Sequence, residues 1–187
     1  MSERNKSSAD NRKSWQPALA VLVASAVFGY AVLPRWSGRA VTASHLIGKP
    51  APDFSLPVFH GGDEGSRIRL SAMSGNVVVL DFWASWCVPC IAQASILTQL
   101  VAAGVDKDVA FVGINTADDP GRARQFAQSH ELPYPSVLDT AGVADLYGAS
   151  SLPTLVVIDR GGRVVSASAG VVSAGEIAKL IAGAGSN

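Results

Sequence analysis

The chain is short of cysteine, histidine and charge. Of its 187 residues two are cysteine and three are histidine, too few in the wrong places for a structural zinc site, which normally takes four ligands. His45, His60 and His130 are scattered without ligand spacing, so neither a metal nor an organic cofactor is expected. Fifteen basic residues balance fifteen acidic ones. With no long basic run, the electrostatic footprint of a nucleic-acid binder is missing.

What is there begins with the two cysteines. Cys87 and Cys90 close the segment Val79-Leu80-Asp81-Phe82-Trp83-Ala84-Ser85-Trp86-Cys87-Val88-Pro89-Cys90, a β-branched apolar run ending in CxxC. A strand followed by a helix that starts at the first cysteine would set Cys87 at a helix N-terminus. Free N–H groups and the helix dipole stabilise a thiolate there. Cys87 is then the nucleophile, and Cys90, one turn further on, is placed to attack the resulting mixed disulfide. Pro89 suits the first turn, where its missing N–H would have no intrahelical partner. The alternative is a static disulfide, but a bridge closing so short a loop removes little entropy from the unfolded chain.

The segment from Asp81 to Cys90 resembles thioredoxin, and the chain from Gly48 onward resembles the membrane-anchored TlpA/ResA-type thioredoxin-like proteins. Gly48-Lys49-Pro50-Ala51-Pro52-Asp53-Phe54 matches the opening segment of that family, Phe82 to Cys90 its active site and Leu152-Pro153-Thr154 its proline loop. The resemblance implies a thioredoxin fold outside the cytoplasm that exchanges disulfides with protein partners, often in cytochrome c maturation. After the second cysteine that family usually carries one or two basic residues and then a glutamate. This chain has Ile91-Ala92-Gln93 instead, and Ser95 where a proline often kinks the helix.

The resemblance also assigns roles. Pro153 would be a cis-proline facing the cysteines, with the Leu152 backbone left free to pair with an extended client segment; without the CxxC it would read as a loop or edge proline. Asp81, in an apolar strand, should be costly to bury ionised, which raises its pKa. By analogy with thioredoxin it acts as general acid/base for Cys90, the alternative being an aspartate with water access at the sheet end. Trp83 and Trp86 are expected as site wall and rim, although Trp86 could equally be packing.

The one long apolar run stands near the N-terminus. Ala18 to Leu33 is free of charge, bounded by Pro17 and Pro34, flanked by Trp15 and Trp36, and preceded by a tail carrying Arg4, Lys6, Arg12 and Lys13. Trp15 to Trp36 as a helix would span roughly 33 Å, close to the hydrocarbon core of about 30 Å, with tryptophan at each interface. The expected organisation is a cytoplasmic tail over 1–16, a transmembrane signal anchor over 17–36, a linker over 37–47 and one domain over 48–187. A cleavable signal peptide competes, since Val41-Thr42-Ala43 offers small residues, but that site lies far beyond a run already longer than a signal core of about 7 to 15 residues. A buried helix would show a polar face. Arg35 and Arg39 on the far side weaken the positive-inside bias, so orientation leans on the oxidising compartment that suits a thiol-disulfide protein.

Within the domain the pattern predicts an N-terminal β-hairpin (Phe54 to Leu56 and Ile68 to Leu70) around a solvated acidic loop, a strand over Asn76 to Trp83, and a helix over Val88 to Ala103. There follow a strand over Val109 to Asn115, a helix over Pro120 to His130, a short strand at Ser136 to Leu138 and a helical turn at Val143 to Tyr147. A hairpin of Thr154 to Ile158 with Val164 to Ala167 and a helix from Ser173 to Ile181 complete it. This is α/β with a mixed sheet flanked by helices. The reading is a single-pass bacterial membrane protein with its domain on the extracytoplasmic side, exchanging disulfides with protein thiol substrates and served by a membrane thiol protein as electron donor or acceptor. Alternatives are an oxidase that inserts disulfides, a peroxide-reducing thiol enzyme, for which Ala84-Ser85-Trp86 lacks the Pro/Thr-type pocket, and a redox-inert binding module.

Overall fold

A computed structural model describes residues 43–105 and 109–186. The cytoplasmic tail expected over 1–16 and the transmembrane anchor expected over 17–36 lie outside them, and among the described residues no helix is long and apolar enough to cross a membrane.

Seven strands form one sheet in the order β2-β1-β5-β4-β3-β6-β7. They are β1 (Ser55–His60), β2 (Arg67–Arg69), β3 (Val77–Trp83), β4 (Val109–Asn115), β5 (Ser136–Leu138), β6 (Thr154–Ile158) and β7 (Val164–Ala169). The helices are α1 (Val88–Ala102), α2 (Pro120–Ser129), α3 (Val143–Leu146) and α4 (Ala174–Gly185). Strands β3, β4 and β5 run parallel; on one side β6 pairs antiparallel with β3 and β7 with β6, and on the other β1 pairs antiparallel with β5 and β2 with β1. The sheet is mixed, as its sequence predicts.

β3 is the centre. All seven of its residues are buried, because each face of the sheet is covered, and an uninterrupted apolar strand is what two covered faces require. Val77, Val79 and Trp83 face a core completed by Leu97 and Leu100 of α1, Phe126 of α2 and Ile177 of α4. Val78, Leu80 and Phe82 face a second core with Leu56, Val137, Val143 and Tyr147. Cys87 and Cys90 belong to the first core. The opening segment covers the start of the β7 edge: Gly48 N–H donates to the Val164 carbonyl at 2.8 Å and Val164 N–H to the Lys49 carbonyl at 3.0 Å, which shortens the free strand edge.

Three expectations are corrected. β1 runs on to His60, beyond the predicted Leu56, because its second half pairs with β5 (Val58 with Val137, His60 with Ser136), a tertiary contact no local pattern encodes. α4 extends past Ile181 to Gly185, since small residues such as Ala184 still pack against the core. Glu64, expected merely solvated, pairs with Arg124 at 2.7 Å. As an exposed pair it contributes little stability, roughly 0 to 1 kcal/mol.

Candidate active site

The turn after β3 delivers the cysteines. Cys87 is the N-cap of α1, in extended conformation with φ −85° and ψ 99°, and Pro89 occupies the first helical turn. Cys87 N–H donates to the Ala84 carbonyl and Cys90 N–H to the Cys87 carbonyl, each at 3.1 Å. The two sulfurs are joined in a disulfide with Cα atoms 5.3 Å apart, so the structure shows the oxidised state. No acidic residue stands in the first turn of α1, which leaves the positive end of the helix dipole uncompensated at Cys87. Both cysteines are buried, while the residues around them are exposed: Trp86 by 59%, Val88 by 76% and Ile91 by 43%. The disulfide is thus rimmed by uncharged, largely apolar surface.

Leu152–Pro153 is a cis peptide, as the resemblance implies. Thr154 pairs with Phe82 across β6 and β3, which places Pro153 beside the end of β3 from which the redox turn departs. The Pro153 carbonyl accepts from Gly170 N–H at 2.8 Å. Pro153 is buried and Leu152 half-buried. Gln93, noted in the sequence only for its missing charge, is fully buried on α1, and its Oε1 accepts from Val172 N–H at 2.8 Å. The exposed Val171 therefore lies on a segment pinned at one end to the proline loop and at the other to the active-site helix.

Asp81 sits on β3 opposite Gly113 and Leu155, on the face shared with Trp83 and the core that holds both cysteines. It is 4% exposed. Burial pushes its carboxyl up to about 7, against the opposing pull of a hydrogen bond from Tyr134. That bond, Tyr134 Oη–H to Asp81 Oδ2, is 3.0 Å long. Oδ1 has no hydrogen-bond partner among the described residues, so a proton can reside there. A carboxyl with a proton affinity near neutrality is suited to general acid/base work. Tyr134 was missed by sequence reasoning because it reaches Asp81 from a loop after α2, with no local signal beyond an aromatic between two prolines.

Trp83 does not form the wall expected of it. It is 1% exposed and stacks on Phe126 with centroids 4.7 Å apart, so it is core. Its ring passes over Gly113, where a Cβ would come within 2.8 Å of Trp83 Nε1 and 2.5 Å of Ser136 Oγ; only glycine admits that approach. Trp86 is at the rim as expected, its Nε1–H donating to the Ala117 carbonyl at 2.9 Å. Among the described residues no three His, Cys, Asp or Glu side chains are grouped to hold a metal ion.

Comparison with known proteins places this geometry. The profile of the AhpC/TSA family matches residues 47–167. Thiol-disulfide oxidoreductase ResA of Bacillus thuringiensis subsp. konkukian is 30% identical over 120 residues, 64% of this chain and 67% of that protein. Thiol:disulfide interchange protein DsbE of Xylella fastidiosa is 32% identical over 148 residues, 78% of this chain and 72% of that protein. Among solved structures, a putative thiol:disulfide interchange protein DsbE from Chlorobium tepidum superposes with a TM-score of 0.64 at 32% identity, covering 72% of this chain and 94% of that one. The chain belongs to the AhpC/TSA family and is a thioredoxin-like thiol-disulfide oxidoreductase of the DsbE/ResA type, with Cys87 and Cys90 as its CxxC.

Proposed function

We propose that the protein is anchored in the bacterial cell membrane by residues 17–36, with 1–16 in the cytoplasm and the 48–187 domain on the extracytoplasmic side, and that it reduces disulfides in protein clients such as apocytochromes. The observation that carries the redox half of this reading is Cys87 as N-cap of α1 beside an exposed apolar rim. The apolar run between Trp15 and Trp36 supports the anchor.

The reaction is two displacements. The Cys87 thiolate attacks one sulfur of the client disulfide; the client S–S bond breaks, and one client thiolate leaves. Cys90 then gives its proton to Asp81 and attacks Cys87 Sγ. The mixed disulfide breaks, the second client sulfur departs and takes up a proton, and the Cys87–Cys90 disulfide remains. Two electrons have passed to the client, and a membrane thiol protein restores the dithiol. In this scheme Trp86, Leu152 and Pro153 form the client contact, with the Leu152 backbone pairing with the extended segment around the client cysteine.

Two experiments test the reading. Protease added to spheroplasts should digest the domain from outside while the protein resists carbonate extraction; release into the soluble fraction would overturn the anchor. For direction, the reduction potential of the Cys87–Cys90 couple should lie below about −200 mV, on the reducing side of the range spanned by thioredoxin at about −270 mV and the oxidant DsbA at about −120 mV. A value near the latter would make the protein an oxidase running the same steps in reverse.

A further inference from the structure

We infer that Asp118 is a positioning residue for the redox turn: by clasping Ser85 to the loop after β4 it holds Trp86 in place beside Cys87 before a client arrives. β3 and β4 run parallel and end in register, Trp83 opposite Asn115, so the turn of residues 84–86 and the loop of residues 116–119 leave the sheet side by side. Thr116 N–H donates to the Trp83 carbonyl at 3.1 Å. Beyond that point Asp118 joins the two loops.

Both of its oxygens are used. Oδ2 accepts from Ser85 N–H at 2.5 Å and from Asn115 Nδ2–H at 2.8 Å, while Oδ1 accepts from the Ser85 hydroxyl at 2.7 Å and from Asp119 N–H at 2.8 Å. Partial burial works to raise its pKa, but the hydrogen bonds from Asn115, Ser85 and Asp119 outweigh it, and the carboxyl is held below its ordinary value. The clasp is therefore made by a carboxylate at any pH at which the enzyme would work. The same loop supplies the Ala117 carbonyl to Trp86 Nε1–H, from a residue at φ 50°, a left-handed conformation that a residue other than glycine adopts only where its surroundings impose it.

The consequence concerns client binding. An exposed tryptophan with no partner must be ordered when a client docks, at a cost in side-chain entropy that lowers affinity. Here the ordering is done in advance. Asp118 touches neither sulfur nor client in this arrangement; it acts through Ser85 and Trp86, and the inference rests on Trp86 being a client contact.

The test is a double-mutant cycle on the full-length protein in detergent micelles, with insulin as protein disulfide and dithiobis(nitrobenzoate) as small disulfide. Asp118→Ala should raise KM for insulin about tenfold while kcat and the small-disulfide rate change less than about threefold. Asp118→Asn, which keeps one acceptor oxygen, should fall between. Trp86→Ala should raise KM similarly, and the double variant should be no worse than Trp86→Ala alone, the mark of two residues acting as one unit. Equal losses on both substrates, or additive losses in the double variant, would reduce Asp118 to a structural residue and overturn the inference; should the alanine variant fail to fold, the asparagine variant completes the same cycle. An unchanged KM in Trp86→Ala would instead overturn the client-contact reading, and the inference with it.

Discussion

Asp81→Asn should make the domain more stable and less active at once. In the unfolded chain Asp81 ionises near 3.8, whereas in the fold its carboxyl is raised to about 7 by burial. A raised folded value stabilises fully below 3.8, and that contribution is lost as pH rises through 7; the decline over this shift is on the order of 4 kcal/mol. Asparagine keeps a partner for Tyr134 Oη–H but has no charge to bury, so the variant lacks the decline. Urea unfolding should show the variant gaining on the wild type between pH 5 and pH 8, with the gain levelling off above pH 7. Activity should move the other way. Resolution of the mixed disulfide should slow by about 100-fold, the scale of a lost general base, while its formation changes little, because only Cys90 needs the proton acceptor. Parallel pH–stability curves for the two proteins, or equal slowing of both steps, would remove Asp81 from the role proposed for it.

Cys90→Ala should abolish turnover yet leave the first step intact. Once Cys87 has attacked, only thiols from solution can release the complex, and they lack the effective concentration of a thiol one helical turn away, which for well-oriented groups reaches about 10⁵ M or more. Steady-state reduction of a protein disulfide should then fall at least about 1,000-fold, preceded by a single burst of one released client thiol per enzyme. Cys87→Ala should show neither turnover nor burst. Its remaining thiol sits inside the first turn of α1 and not at the N-cap, where the helix dipole favours the thiolate that attacks a client disulfide.

Much of this was legible in the sequence because the determinants are local. β3, α1, β4, β5 and β6 lie within a residue of where their apolar runs and turn residues put them, and CxxC followed by an apolar helix fixes Cys87 as N-cap. The cis bond at Pro153 came from resemblance rather than from composition. What stayed hidden is what tertiary structure supplies. Tyr134 meets Asp81 across 53 positions and Gln93 meets Val172 across 79. Asp118 reaches Ser85 only because two parallel strands end together. Trp83 and Trp86 show the same limit from the other side: three positions apart and alike in sequence context, one is core and the other rim, a difference set by where β3 ends.

The central claim is the order of attack, and nonreducing electrophoresis of the two cysteine variants expressed in cells tests it most directly. Cys90→Ala should accumulate mixed disulfides with its natural client, dissolved by reductant, and Cys87→Ala should accumulate none. Adducts carried by Cys87→Ala in place of Cys90→Ala would reverse the assigned roles, and the absence of adducts in both would contradict disulfide exchange with protein clients altogether.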